Sequence, residues 1–528
     1  MAERYQVIIV GGGPVGVALA VDLGLRGVSC ALVERHQTPQ RIPKGQNLTA
    51  RTLEHFYFWG VEDELRKARV LPPGYPIGNV TAYGSLMGEY WYAPRGQEVT
   101  HSYFFTKNER LPQYLTEEVL RDRLTELPSV TALFGRTAKQ VEQDDTGVRV
   151  TVADDGWPYE ETTLEGEYVV GCDGARSLVR EQMGIGRDGP DYDQRMVLAV
   201  LRSKDLHEGL QRFTPATTYR VLKPELRGYW QFFGRIDVGE GFFFHAPVPP
   251  DASRETCDVL GLLREAAGFE LRAEFDHVGF WDLRILLARE YRKDRAFIAG
   301  DACHNHPPYG GYGLNTGLED AANLGWKLTA ALEGWGGERL LDSYGQERRP
   351  IFLEIGEAMI AGGIEEDRAF LKRYSPSKDR AEFEQAWKAL QDDDRWHAGY
   401  VPHYEGSSVV MGRPGAVCSI HGTHAHTARA GYHLSPRTLS SGKNVFEALG
   451  RGFTLLALGA DDGAVRAFED ATQSLGVPLT VIRDSFEGDR ASYEERLVLV
   501  RPDQYVVWAG SEAPSDALRI VRTATGTA

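Results

Sequence analysis

The chain enters at Tyr5 to Val10 an unbroken apolar, largely β-branched run that suits a strand covered on both faces. Gly11-Gly12-Gly13-Pro14-Val15-Gly16 follows. A helical stretch then runs through about Arg26, with Gly27 as its stop, and Ser29 to Val33 is a second apolar strand. Residues 44–66 and 109–127 read as helices. Tyr159 to Val170 reads as strands leading into a Gly171-Cys172-Asp173-Gly174 turn. From 190 to 285 the texture changes: Tyr229-Trp230-Gln231-Phe232-Phe233 and Phe242-Phe243-Phe244-His245 are aromatic-rich strands. A strand at 296–299 ends in Gly300-Asp301, and a helix is predicted from Asn315 to about Leu332. Residues 363–400 are charged and helical in character. From about Pro402 onward Gly, His and Pro cluster, before strand-like segments at 453–458 and 497–508. A C-terminal domain therefore begins near 400. There is no repeat of solenoid type.

Composition narrows the function classes. The 528 residues allow two to four domains at roughly 150 residues each. With 42% hydrophobic and 25% charged residues, the chain has the balance of a globular protein. A net charge of −16 argues against nucleic-acid binding and against a polybasic membrane surface. The five cysteines, Cys30, Cys172, Cys257, Cys303 and Cys418, are scattered and never spaced Cys-x-x-Cys, so neither a disulfide framework nor a zinc site is expected. No run approaches the ~20 apolar residues of a membrane span, and no signal segment is visible. The expectation is a soluble, cytoplasmic protein with no metal.

The glycine-rich stretch is a G-x-G-x-x-G sequence between a strand and a helix, with Glu34 at the end of the next strand. Gly11 permits the tight turn, Gly13 lets backbone approach a pyrophosphate, and Gly16 lets helix and strand pack closely. Pro14 and Val15 open the helix, whose free N–H groups and partial positive charge favour phosphate. Glu34, with Arg35 beside it, is placed to accept hydrogen bonds from an adenosine ribose, which favours FAD or NAD over NADP at this site.

Two further segments bring in a resemblance. Gly171-Cys172-Asp173-Gly174-Ala175-Arg176-Ser177-Leu178-Val179-Arg180 resembles the Asp-Gly motif of flavoprotein aromatic hydroxylases. Gly300-Asp301-Ala302-Cys303-His304, Pro307-Pro308 and Gly310-Gly311-Tyr312-Gly313-Leu314-Asn315 resemble that family's second flavin motif, and Tyr344-Gly345-Gln346-Glu347-Arg348-Arg349 the end of its flavin domain. The three motifs, in this order, mark single-component hydroxylases related to para-hydroxybenzoate and phenol hydroxylase, in their larger form. The resemblance implies an α/β architecture with a Rossmann-type FAD domain over 1–75, 105–185 and 286–395. It also implies a mixed β-sheet substrate domain over 76–104 and 186–285, and a thioredoxin-like α/β domain over 400–528.

It further implies the chemistry. NAD(P)H reduces FAD, O2 adds to form a C4a-hydroperoxyflavin, and a phenolic or related aromatic ring is hydroxylated. A homodimer is expected. Asp301 would bond the ribityl chain, and Gly313, Leu314 and Asn315 would offer backbone N–H groups to the flavin pyrimidine, where negative charge develops. Pro308 and Gln113 would stand near the cofactor, Pro307 at the reacting centre, and Asp173 and Arg180 near the nicotinamide or the pyrophosphate.

Two positions depart from the family pattern. Lys44 stands where relatives have an arginine, keeping the charge without the planar fork. Gln46 stands where phenol hydroxylases carry an acid, and an amide cannot deprotonate a phenol. His245 and Tyr229 are then candidates for the base, with packing roles as the alternative for both. His304 reads as cofactor-loop structure. With Cys418 alone in the C-terminal region, thiol–disulfide exchange is not expected there. Baeyer–Villiger oxidation or epoxidation on the same scaffold, and a non-catalytic flavin-binding protein, are the competing readings.

Overall fold

A computed structural model describes residues 3–94, 96–154, 160–391 and 398–528, and the side chains of all of these except 191–193. The expected strand start at Tyr159 and the helical character past 391 fall in part outside them.

Strands Glu3–Val10 and Cys30–Glu34 run parallel, joined by the helix Pro14–Leu25. The parallel order is extended by Val130–Phe134 on one side and by Glu161–Gly171 and Ala296–Ile298 on the other. The C-terminal ends of these strands therefore gather at one edge, where ligands of open α/β sheets bind. Val7, Ile8 and Ile9 have no exposed surface, as an all-apolar strand covered on both faces requires.

A second, seven-stranded sheet is ordered Glu274–Arg284, Asp191–Arg202, Gly241–Val248, Gln231–Arg235, Thr218–Leu222, Asn79–Tyr83 and Trp91–Tyr92. Alternation along it separates two faces. Phe233, Phe242, Phe244 and Ala246 pack into a core with the helix Val259–Ala267. Phe232 and Phe243 lie on the other side. The helices Gly362–Arg373 and Arg380–Gln391 put Leu371, Phe383 and Trp387 against Tyr92 and Leu222, so the last helices of the segment assigned to the FAD domain through 395 cover this sheet.

The third sheet, Leu479–Asp484, Phe453–Leu458, Leu497–Val500 and Val506–Gly510, is parallel in its first pair and antiparallel in the others. Helices Asp462–Ser474 and Ala517–Ala524 pack on it. The run expected at 497–508 is thus two strands around a turn.

Three helix expectations shift, and the one over 109–127 shortens to Gln113–Leu124 because Glu109–Arg110 is a strand. Residues 44–49 are not helical: Thr49 caps the helix Ala50–Phe58 by accepting from Thr52 N, and Asn47–Leu48 pairs with Glu109–Arg110. The helix expected from Asn315 starts three residues earlier, at Tyr312, because Gly310 and Gly311, both near φ +72°, make the sharp entry that glycine permits. Among the described residues no helix is long and apolar enough to cross a membrane.

Candidate active site

Where the first and second sheets meet lies a cavity of about 1290 Å³. Its first half is built mostly from backbone. A Cβ on Gly11 would lie 2.4 Å from Cys172 O, and one on Gly16 would lie 1.9 Å from Gly11 O, so glycine is compulsory at both. Gly13 has nothing within 4 Å of such an atom, which leaves its backbone open to the cavity. Gly11, Gly13, Pro14 and Val15 line the space, and Gly16 sits behind them.

Glu34 and Arg35 also line it. Each Glu34 oxygen accepts one backbone N–H, from Gly12 and from His36, both at 2.7 Å, and keeps lone pairs for a ribose. Arg121 is a site residue that sequence reasoning missed. It donates to Gly12 O at 3.3 Å and Gln37 O at 3.1 Å, pairs with Glu117 at 2.7 Å, and stands 4.2 Å over the Phe134 ring. The i, i+4 Glu117–Arg121 pair on a helix opened by Gln113 was the only available signal. Burial, with the charge of Glu34 adding, raises the Glu117 carboxyl to about 7, although Arg121 opposes it.

Asp301 is exposed to the cavity and makes no hydrogen bond among the described residues, while burial raises its carboxyl and Lys44 and His304 pull it down. Gly313, Leu314, Gln113, Pro308, Lys44, Gln46 and Asp173 line the same space. Gly313 and Leu314 belong to the first turn of the helix Tyr312–Leu332, where N–H groups lack partners within the helix. Asn315 does not line the cavity. Its side-chain amide ties Thr49 N, Asn47 O and Gly311 O together at 2.7–2.9 Å, and so fixes the loop. Pro307 is likewise behind the wall. Arg180 is buried against Ala175 O and Ala302 O, bracing two motifs. His304 bonds Asp320 at 2.7 Å and stacks on Phe352 at 4.1 Å, deep in structure.

These features fit a flavin dinucleotide. Open backbone stands at a helix N-terminus, a free carboxylate at Asp301, and an enclosed, unpartnered Oδ1 at Asp173.

The second half is aromatic. Phe232 stacks on His245 at 4.8 Å, with the edges of Phe243 and Trp281 closing around the imidazole. Burial pulls the His245 pKa down to about 3, so the ring is neutral. Its Nδ1 is enclosed without a partner. Trp230 stacks on Tyr309 at 4.4 Å, and its Nε1 donates to Asp367 at 2.9 Å. Arg220 lies 4.7 Å over Trp230 and pairs with Asp367 at 2.8 Å. Tyr229 does not reach this space; it lines a separate groove with Arg227, Arg368 and Lys372. Arg227 at φ +52° and Gly228 at φ +85° turn the chain just before it, so the strand begins only at Gln231.

Among the described residues no cluster of His, Cys, Asp or Glu could hold a metal ion. Cys418 is buried, and burial pushes its thiol up to about 12.

Residues 4–357 match the model of an FAD binding domain, two thirds of the chain, and residues 427–528 match the C-terminal domain of aromatic-ring hydroxylases. The chain belongs to the FAD-dependent aromatic-ring monooxygenases. This monooxygenase is 30% identical to a 4-methyl-5-nitrocatechol 5-monooxygenase of a Burkholderia species, over 98% of this chain and 97% of that one. It is also 30% identical to a tetracenomycin A2 monooxygenase-dioxygenase of Streptomyces glaucescens, over 99% and 96%. The solved ternary complex of aklavinone-11 hydroxylase with FAD and aklavinone shares the fold at TM-score 0.82, with 25% identity over the whole of both chains. FAD is thus the cofactor of this monooxygenase and NAD(P)H its reductant.

Proposed function

We propose that this enzyme hydroxylates a phenolic aromatic substrate, of one ring or several, with O2. The observation that carries the reading is the continuity of the cavity: a dinucleotide loop at one end opens directly onto walls of Phe232, Phe243, Trp281 and Trp230. Planar rings gain both burial and stacking against such walls. Three relatives named for nitrocatechol, tetracenomycin and aklavinone support ring substrates of this kind.

FAD, when bound, supplies the reducing equivalents and the activated oxygen, and the protein supplies position, dryness and electrostatics. Gly13 and the N-terminus of the helix Pro14–Leu25 would hold the pyrophosphate, Glu34 the ribose, Asp301 the ribityl hydroxyls, and the first turn of Tyr312–Leu332 the pyrimidine edge. Lys44 adds a positive charge beside Gly45, where an added Cβ would lie 3.4 Å from Leu314 and 3.5 Å from Gln113. His245, neutral, would hold a substrate hydroxyl from the sheet.

The test is a panel of mono- and polycyclic phenols, scored for stimulated NAD(P)H oxidation and, by mass spectrometry, for a product heavier by one oxygen atom. Oxidation that yields only hydrogen peroxide with every ring compound would reject the reading.

A further inference from the structure

The wall between the dinucleotide loop and the second sheet contains a cation that no carboxylate pairs with among the described residues. Arg110, 2% exposed, lines the cavity. Its Nη1 donates to Asn47 Oδ1 and its Nη2 to Arg235 O at 3.0 Å, both neutral acceptors, and its Nε is enclosed with no partner. Arg235 brings no carboxylate either: it reaches the Tyr219 hydroxyl at 3.3 Å and His207 Nδ1 at 3.2 Å. Burial draws the Arg110 pKa down to about 9, so the charge persists at neutral pH. A buried guanidinium without an anion is costly, and the cost falls only when an anion arrives.

Beside it stands Gln46. The backbone is continuous here, with Leu111 N donating to Gln46 O at 2.9 Å across the short Asn47–Leu48 and Glu109–Arg110 pair. Gln46 is 5% exposed, lines the cavity, and has neither its amide nitrogen nor its amide oxygen bonded. Native interiors rarely leave both ends of an amide unpaired. The free valences are therefore donors at Arg110 Nε and Gln46 Nε2, with one acceptor at Gln46 Oε1.

We infer that Arg110 and Gln46 form an oxyanion subsite for the substrate, taking an ionised ring oxygen with a hydroxyl next to it. The inference rests on the aromatic-hydroxylase reading and deepens it. An ionised phenol is a more electron-rich ring, and a cation that selects the phenolate makes a basic side chain at position 46 unnecessary. The proton leaves to solvent before the ring is enclosed. Selection of the charged form thus replaces deprotonation in the site.

The experiment uses the oxidised holoenzyme without NAD(P)H, so that nothing turns over. Two probes are titrated: 4-nitrocatechol, whose colour reports its ionisation, and its dimethyl ether, which cannot ionise. The expected result is at least about tenfold tighter binding of nitrocatechol, equivalent to ~1.4 kcal/mol. Its bound spectrum should be that of the anion about one pH unit below the transition of the free probe. Arg110→Met should abolish the preference, Arg110→Lys should retain most of it, and Gln46→Leu should reduce it severalfold, with FAD content unchanged in all three. Should Arg110→Met fail to fold, Gln46→Glu gives the same answer by pairing the cation internally, so the preference should vanish in a folded protein. Equal affinity for the two probes, or a preference that survives Arg110→Met or Gln46→Glu, overturns the subsite. So does an Arg110→Met protein that loses FAD or shifts the flavin reduction midpoint while keeping the preference, since the cation would then serve the flavin. Failure of the parent reading would show separately, as a wild-type protein that prefers the anion yet oxygenates no ring.

Discussion

Two buried polar regions border the helix Tyr312–Leu332, and they differ in how their charged groups are paired, although Asn323 Oδ1 and Trp326 Nε1 are unbonded in the first as well. Behind the helix, Glu347 accepts from Arg501 at 2.6 and 3.0 Å, and from Lys327, Asn323 and Ser407 at 2.7 Å each. Arg501 is shared in turn with Asp503. Burial alone would raise the Glu347 carboxyl, but Arg501 and Lys327 hold it well below the ordinary range. In front of the helix, in the cavity wall, Gln46, Asp173 Oδ1, His245 Nδ1 and His306 Nε2 are enclosed and unbonded. A buried polar group says little by itself. Paired within the chain it is architecture, whereas left unpaired against a cavity it marks where a ligand completes the structure.

The comparison can be broken most forcefully behind the helix. Glu347→Ala strands the buried Lys327 and leaves Arg501 with Asp503 alone, and should cost about 3–5 kcal/mol in urea unfolding. A loss below about 1 kcal/mol would remove the distinction between the regions. In front, Asp301→Ala should leave the unfolding of apoprotein nearly unchanged, since the carboxylate has no hydrogen-bond partner among the described residues. FAD affinity, followed by quenching of flavin fluorescence, should fall by the about 1.5–3 kcal/mol of a hydrogen bond to a charged group.

Glu117 belongs to neither class, being paired with Arg121 yet raised to about 7. In apoprotein its folded form keeps a proton that the unfolded chain has lost above about 4.5. Stability should therefore fall as pH rises from 4.5 to 7 and level off above. Allowing for solvent in the open cavity, the fall is about 1–2 kcal/mol. Melting temperatures of apoprotein across that range, compared with Glu117→Gln, should show the slope in the wild type alone. Smallest, His245→Leu removes an enclosed unbonded nitrogen and should leave apoprotein as stable or more stable by about 1 kcal/mol. Product formation should drop while FAD retention holds. A destabilised His245→Leu would mean the ring is packing, not site.

Legibility in the sequence follows the same divide. The loops at 11–16 and 300–314 were readable because close backbone approach and positive φ demand glycine wherever they occur, so the chemistry is local. The aromatic strands were readable too, but not which aromatic meets the cavity. Tyr229 and Trp230 are neighbours in one run, and the Arg227–Gly228 turn sends only the second inward. Asn315 sits in the flavin motif, yet its amide is spent on Thr49, Asn47 and Gly311, partners up to 268 residues away. Arg110 and Arg121 look like ordinary surface charges until Arg235 O and Gly12 O, far off in the chain, are placed beside them. Residues 44–49 read as helix although Gly45 and the cap residue Thr49 favour a later start; the pairing of Asn47–Leu48 with Glu109–Arg110 is what draws them out.

The Glu347 cluster also sets a schedule. Glu347 and Arg501 lie 154 residues apart in the chain, and Gly337 N donates to Thr525 O at 2.8 Å, a still longer reach. At about 5–20 residues per second of synthesis, Glu347 leaves the ribosome roughly 8–30 s before Arg501 does. Through that interval Glu347 and Lys327 have each other but not the arginine that completes the cluster, and the helix whose first turn lines the cavity lacks that contact. The nascent monooxygenase can close its first sheet early, but the Glu347 cluster beside the helix Tyr312–Leu332 is completed only when Arg501 arrives.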